Sequence, residues 1–176
     1  QYAHGGDIYT YKNLLDFSIN VNPLGPADAV VEAAARSLQR IGEYPDSRSR
    51  ELRNALAEKK GLEAERFVIG NGAADLLFSL VLAEKPQKAM IVIPAFSEYE
   101  QALKTVGCEI LYHEVKKENN FRLGTDLTEK ITSELDFLFL CSPSNPAGQA
   151  VEKEFLIKIA EKCEKERVRL VLDECF

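Results

Sequence analysis

The sequence predicts an α/β protein built on a mainly parallel sheet with helices on both faces. Three observations carry this. Short continuous apolar runs recur from residue 66 onward, "AMIVIP", "DFLFL" and "RLVLD" among them, with the length of strands buried on both faces. Stretches of helical period lie between these runs. Polar loops containing Gly, Pro or Asn follow the runs instead of interrupting them, the pattern of strands alternating with crossover helices.

Taken in order, residues 1–25 ("QYAHGGDIYTYKNLLDFSINVNPLG") carry Gly, Asn and Pro with little periodicity and are expected to form a surface arm. Residues 27–41 read as a helix with Val30, Val31, Ala34, Leu38 and Ile41 on one stripe. "GEYPDSRS" is a turn, after which Ser47 or Ser49 is expected to cap a helix over 50–60 that Gly61 closes. "RFVIG" is expected to be the first strand, followed by a helix over 72–84. "AMIVIP" precedes a helix over 97–106, and "EILYHEV" a polar loop and a short helix near 125–133. "DFLFL" leads to a helix over 152–166 that turns Phe155, Leu156, Ile159, Ala160 and Cys163 one way. "RLVLD" is the fifth expected strand.

Bulk properties narrow the function classes. The 176 residues are 45% hydrophobic and 28% charged, which suits a folded soluble domain. A net charge of -6 without a long Lys/Arg cluster argues against nucleic acid. No apolar stretch approaches a membrane span and no basic-then-apolar leader opens the chain, so a cytoplasmic protein with no membrane partner is expected. The four cysteines, at 108, 141, 163 and 175, form no CxxC pair, and His4 and His113 form no ligand pair. Reduced structural thiols and no metal are the expectation.

In parallel sheets of this kind, ligands gather at the carboxyl ends of the strands. Four features are expected there. "GNGAADLL" brings small residues to a strand–helix turn where backbone N–H groups can meet an anion; a tight turn is the plainer alternative. A dinucleotide fingerprint fits worse, because Asp75 stands at the third glycine position and no acid ends "IVIP". "PAFSEYE" places Phe96 and Tyr99 where a ring could stack on a flat ligand or simply pack. "SPSNPAG" holds Asn145 before a proline, able to present its amide to a ligand oxygen or to make an Asn-Pro turn. Asp173 ends an apolar strand, where a carboxylate requires a cation or several hydrogen bonds.

The order of these pieces resembles the fold-type I pyridoxal-phosphate enzymes of the class I/II aminotransferase group, and the resemblance spans essentially the whole chain. Within that group "HGG", "DFSINVNPLGP" and "DECF" look most like the threonine-phosphate decarboxylases of cobalamin synthesis, with the histidinol-phosphate aminotransferases as close relatives. The resemblance implies pyridoxal 5'-phosphate as cofactor. Gly72, Ala73 and Ala74 would hold its phosphate, Phe96 would stack on the pyridine ring, Asn145 would bond the ring hydroxyl oxygen, and Asp173 would pair with the ring nitrogen. Tyr44 would reach the cofactor phosphate of a neighbouring subunit, implying a homodimer. His4, Gly5, Gly6 and Asn22 would lie near the substrate, a small and phosphorylated amino acid. Residues 1–45 would be an arm and first helix belonging to a small domain, and 46–176 the N-terminal part of the large cofactor-binding domain.

The resemblance also implies that the chain is the N-terminal half of a longer enzyme. The Schiff-base lysine and a substrate-carboxylate arginine are expected downstream of Phe176, so the 176 residues alone are expected to be inactive, and Lys104, Lys153 and Lys158 are expected to be solvated. Later strands of such enzymes would pair with the first and fifth expected strands. Phe176 stands where many aminotransferases have a tyrosine, which leans the expectation toward decarboxylation, with transamination as the alternative. A non-catalytic binding module remains the expectation if 176 residues is the natural length.

Overall fold

In a computed structural model, residues 6, 9–10, 15 and 17–175 are described; His4, Gly5 and Phe176 lie outside them. The chain forms two compact units, residues 1–64 and 65–176.

The first unit contains α1 (Asp28–Ser37), continued by a 3-10 turn over Leu38–Arg40, and α2 (Arg50–Lys60). The apolar stripe of α1 forms as expected, but it is exposed: Val30, Val31, Leu38 and Ile41 all face solvent within this unit. The expected serine cap of α2 is replaced by an acid. Ser49 has φ 45° and makes no side-chain cap, while the Asp46 carboxylate accepts from the Arg48 N–H at 3.1 Å and the Arg50 N–H at 2.8 Å. A carboxylate satisfies these donors and also complements the helix dipole, and the two N–H bonds hold Asp46 below the usual carboxylate range. Gly61, at φ 65°, closes the helix in the left-handed conformation, as expected.

The second unit bears out the α/β reading. Its elements are α3 (Gly72–Glu84), β1 (Lys88–Ile93), α4 (Ser97–Thr105), β2 (Glu109–Glu114), α5 (Leu127–Lys130), β3 (Phe137–Cys141), α6 (Lys153–Glu166) and β4 (Arg169–Asp173). All pairings are parallel, in the order β2-β1-β3-β4. One expected strand is absent. The run "RFVIG" is a 3-10 turn over Ala64–Arg66 followed by residues without regular structure, and Val68 is largely exposed. A strand is stabilised by its ladder partner, and no described strand pairs with this run.

Alternation along each strand sorts side chains to two faces. One face carries Ala89, Ile91, Phe137, Phe139 and Val171, packed by α3 and α4 through Leu77, Val81, Tyr99, Ala102 and Leu103. The other carries Met90, Leu138, Leu140, Leu170 and Leu172, packed by α5 and α6 through Leu127, Ile159 and Cys163. Each fully buried Leu, Ile or Phe among them contributes about 1.5–3 kcal/mol. Ala160, expected on the inward stripe of α6, is exposed. Strand β3, flanked on both sides, is buried at every position, whereas β4, bonded among the described strands to β3 alone, is half-buried from Leu170 to Asp173.

The helix directions place the ends that matter. The Glu84 carboxylate, at the end of α3, meets Arg169 at the start of β4 across 3.3 Å. The last turn of α3 therefore lies at the amino edge of the sheet. Its 13 residues, about 20 Å of helix, return its first turn toward the carboxyl edge. Helix α4 begins just past Ile93, at that same edge. Among the described residues, no helix is long and apolar enough to cross a membrane.

Candidate active site at the carboxyl edge of the sheet

Asp173 closes β4 opposite Cys141 in register, with its side chain on the α3/α4 face. Its main-chain carbonyl accepts from the Ser142 N–H at 2.9 Å, tying the loop after β3 to the end of β4. Its carboxylate has a partner that sequence reasoning did not find. The Tyr99 hydroxyl donates to Asp173 Oδ2 at 2.5 Å, across 74 residues of sequence. Burial, reinforced by the Asp173 charge, pushes the Tyr99 phenol far above its ordinary value. The hydroxyl therefore stays protonated and acts as a fixed donor.

Tyr99 is itself held on three sides. It is almost completely buried, stacks on Phe139 with centroids 5.4 Å apart, and meets Phe96 edge-on at 5.9 Å. Phe96 is the N-cap residue of α4, so the two aromatics sit three positions apart on one helix face. That spacing in "PAFSEYE" was the available signal that both rings serve one place. Nothing in the sequence couples Tyr99 to Asp173, because the contact depends on strand order. Glu98, also buried, accepts from the Ser97 hydroxyl at 3.0 Å in the first turn of α4, where the helix dipole favours an anion.

The start of α3 supplies the second component. Gly72 has φ 83° and open space where a Cβ would stand. Gly72 and Ala73 are exposed, Ala74 half-buried, and the first-turn N–H groups of a helix have no intrahelical acceptor. The Asp75 carboxylate reaches back to accept from the Asn71 N–H at 2.8 Å. It fixes the turn beside the first-turn N–H groups of Gly72, Ala73 and Ala74.

The loop after β3 supplies the third. Asn145 is half-buried in a turn over residues 145–147. The Gly148 N–H donates to the Ser144 carbonyl and the Ser144 N–H to the Gln149 carbonyl, both at 2.7 Å. The Val151 N–H donates to Ser142 Oγ at 2.9 Å. Peptide bonds 93–94, 142–143 and 145–146, all preceding proline, are cis.

Tyr44 is wholly exposed. Asn22 organises its own turn: its Oδ1 accepts from the Leu24 N–H at 3.0 Å, and its amide donates to the Gly25 carbonyl at 3.3 Å. Gly6 has φ 82°, and its N–H donates to Ser18 Oγ at 2.9 Å. His4 and Gly5 lie outside the described residues. Lys104, Lys153 and Lys158 are exposed, and Lys104 pairs with Glu100 along α4.

Comparison with known proteins decides the family. A family model for aminotransferase class I and II matches residues 12–176. The chain belongs to this family. Threonine-phosphate decarboxylase of Salmonella typhimurium is 38% identical over 182 residues, 99% of this chain and 50% of the relative. Histidinol-phosphate aminotransferase of Methanococcoides burtonii is 35% identical over 154 residues, 85% of this chain and 42% of the relative. The crystal structure of the histidinol-phosphate aminotransferase from Clostridium acetobutylicum superposes with a TM-score of 0.80 at 28% identity, covering 93% of this chain and 48% of that one. The chain thus spans about half the length of the relatives it matches, a partial domain of the fold-type I architecture.

Pyridoxal 5'-phosphate is the cofactor of this family, and the residues at the carboxyl edge suit it chemically. The Asp173 carboxylate is bonded by Tyr99, which meets Phe96 edge-on, and α3 starts at small residues whose first-turn N–H groups have no intrahelical acceptor, as a phosphate site needs.

Proposed function

We propose that the parent protein decarboxylates a small phosphorylated amino acid with pyridoxal 5'-phosphate, and that this chain supplies the cofactor's ring-nitrogen, ring-face and phosphate contacts. The carrying observation is the Asp173 carboxylate at the end of β4, with Oδ2 engaged by Tyr99. The bound cofactor supplies an electron sink for a carbanion developing on the substrate. Asp173 accepts the N–H of the pyridine ring and keeps its proton there. Tyr99 prevents the carboxylate from rotating away. Phe96 offers its ring to the face of the cofactor, Asn145 its amide to the ring hydroxyl oxygen, and the N–H groups of Gly72, Ala73 and Ala74 bind the phosphate.

Tyr44 would reach the phosphate held by a neighbouring subunit, which makes a homodimer the functional form. His4, Gly5, Gly6 and Asn22 would approach the substrate; for Asn22 this requires exchanging its own turn's hydrogen bonds for a ligand. In this assignment residues 1–45 belong to a small domain and 46–176 to the large one.

Decarboxylation is favoured over transamination by the 38% identity to a threonine-phosphate decarboxylase over 99% of the chain and by Phe176 where a tyrosine would be expected. Transamination of a histidinol-phosphate-like amine is the second reading, supported by the 35% identical relative and the 0.80 TM-score. Product analysis of the parent protein, supplied in turn with threonine phosphate and with histidinol phosphate plus a keto-acid acceptor, separates them. Carbon dioxide and a phosphorylated amino alcohol support the first reading. A keto product from histidinol phosphate, without carbon dioxide release, replaces it with the second.

A further inference from the structure

Two of the four cysteines, far apart in sequence, meet at this same edge. Cys141 is the register partner of Asp173. Cys175 follows Asp173 by two residues. The Sγ atoms of Cys141 and Cys175 and a carboxylate oxygen of Asp173 all lie within 4.8 Å of one another. Both cysteines are free, Cys141 buried and Cys175 exposed, so the cluster is open to solvent from one side.

We propose that Cys141, Asp173 and Cys175 form a binding site for a soft divalent cation of the zinc class. Two sulfurs and one carboxylate are a donor set that such cations prefer over magnesium or calcium. Around one tetrahedral zinc, with Zn–S near 2.3 Å, ligand atoms stand roughly 3.4–3.8 Å apart. A cluster already inside 4.8 Å therefore closes on the ion with about 1 Å of side-chain movement. Three protein ligands leave a fourth position for water or an added ligand.

The free site holds protons that the cation must displace. Desolvation, with the Asp173 charge adding to it, pushes the Cys175 thiol up to about 11 although the residue as a whole is exposed. In the free protein Cys141 Sγ donates to the Pro143 carbonyl at 3.0 Å, a bond given up on metal binding. On binding, two metal–sulfur bonds and one metal–oxygen bond form, two S–H bonds break, and both protons leave to solvent. The three side chains carry one negative charge before binding and three after it, so with the +2 ion the site's net charge stays at -1, and no oxidant or reductant is needed. Affinity therefore rises with pH.

The placement has a functional consequence, which rests on the cofactor reading: a cation on Asp173 occupies the carboxylate that the ring nitrogen needs. Zinc and cofactor then exclude one another.

Cobalt(II) titration of the purified protein, kept reduced with a phosphine, reads the site directly. The expected result is a near-ultraviolet thiolate-to-cobalt charge-transfer band that saturates at one cobalt per chain, is abolished by zinc, and loses about half its intensity in Cys175→Ala and in Cys141→Ser. Absence of the band, or a band that survives Cys175→Ala at full strength, overturns the proposal. Cys175 is exposed, so that variant decides the matter even if Cys141→Ser fails to fold. Adding zinc before pyridoxal phosphate tests the consequence separately. Zinc should weaken cofactor uptake at least tenfold in the unsubstituted protein and not in Cys175→Ala. If the cofactor is not taken up at all, the cofactor reading fails while the cobalt result still decides the metal site.

Discussion

The Tyr99 hydroxyl lies 2.5 Å from Oδ2 of Asp173, joining the helix after β1 to the end of β4. The two elements are not neighbours in the sheet, since β3 lies between their strands. The bond therefore braces the carboxyl edge across a whole strand, and it sets the orientation of the carboxylate on which the functional reading depends.

Tyr99→Phe keeps the ring stacked on Phe139 and removes only the hydroxyl. Hydrogen bonds to charged groups contribute about 1.5–3 kcal/mol. With Asp173 half-buried and able to recover some hydration, a loss of about 1.5 kcal/mol is expected in urea unfolding. Cofactor affinity should fall several-fold, since the carboxylate is left free to rotate. Unchanged stability and unchanged affinity together would mean that the bond positions nothing.

Gly70 is the tightest point before α3. A Cβ there would stand 2.8 Å from Leu76 Cγ and Cδ2 and 2.9 Å from Asp75 Oδ2. Gly70→Ala should displace the Asp75 carboxylate from the Asn71 N–H and loosen the first turn, at a cost of about 1–3 kcal/mol. Weaker retention of inorganic phosphate or cofactor, read by equilibrium dialysis, should accompany the lower melting temperature. A variant that melts normally and binds normally contradicts the assignment of this turn.

His113 gives the pH dependence. It is buried on β2 with Nδ1 3.1 Å from the Lys130 ammonium, and Asp126 also pairs with Lys130. Desolvation first, then the Lys130 charge, lowers the His113 pKa below 6.5. A depressed histidine is neutral when folded, so the unfolded chain binds the extra proton as pH falls. Stability is full above pH 6.5 and declines below it, until the folded-state histidine also protonates. His113→Gln should flatten the fall in melting temperature between pH 7 and pH 5.5. An equally steep fall in the variant would assign the effect to other groups.

Much of this was legible in the sequence because the signals were local. The strands β1, β2, β3 and β4 declared themselves as short apolar runs, and α3, α4 and α6 by period and by their flanking glycines and prolines. "RFVIG" has the same composition yet forms no strand, since pairing is decided by what lies alongside and not by the run itself. Asp46 caps α2 from further outside the helix than Ser47 or Ser49, so its position in the sequence does not mark it as the cap. In the candidate site, Asp173 and Phe96 could be singled out by position at strand ends. The Tyr99–Asp173 bond and the Cys141–Asp173–Cys175 cluster could not, because both arise from register between strands distant in sequence.

In the proposed function Asp173 holds a proton on the pyridine nitrogen of bound pyridoxal phosphate. Nitrogen-15 NMR of ring-labelled cofactor, added to the protein at a pH where the free ring nitrogen carries no proton, tests it most directly. The expected result is a protonated nitrogen in the bound cofactor, lost in Asp173→Ala. A bound cofactor whose nitrogen is unprotonated, or protonated equally in Asp173→Ala, would contradict it.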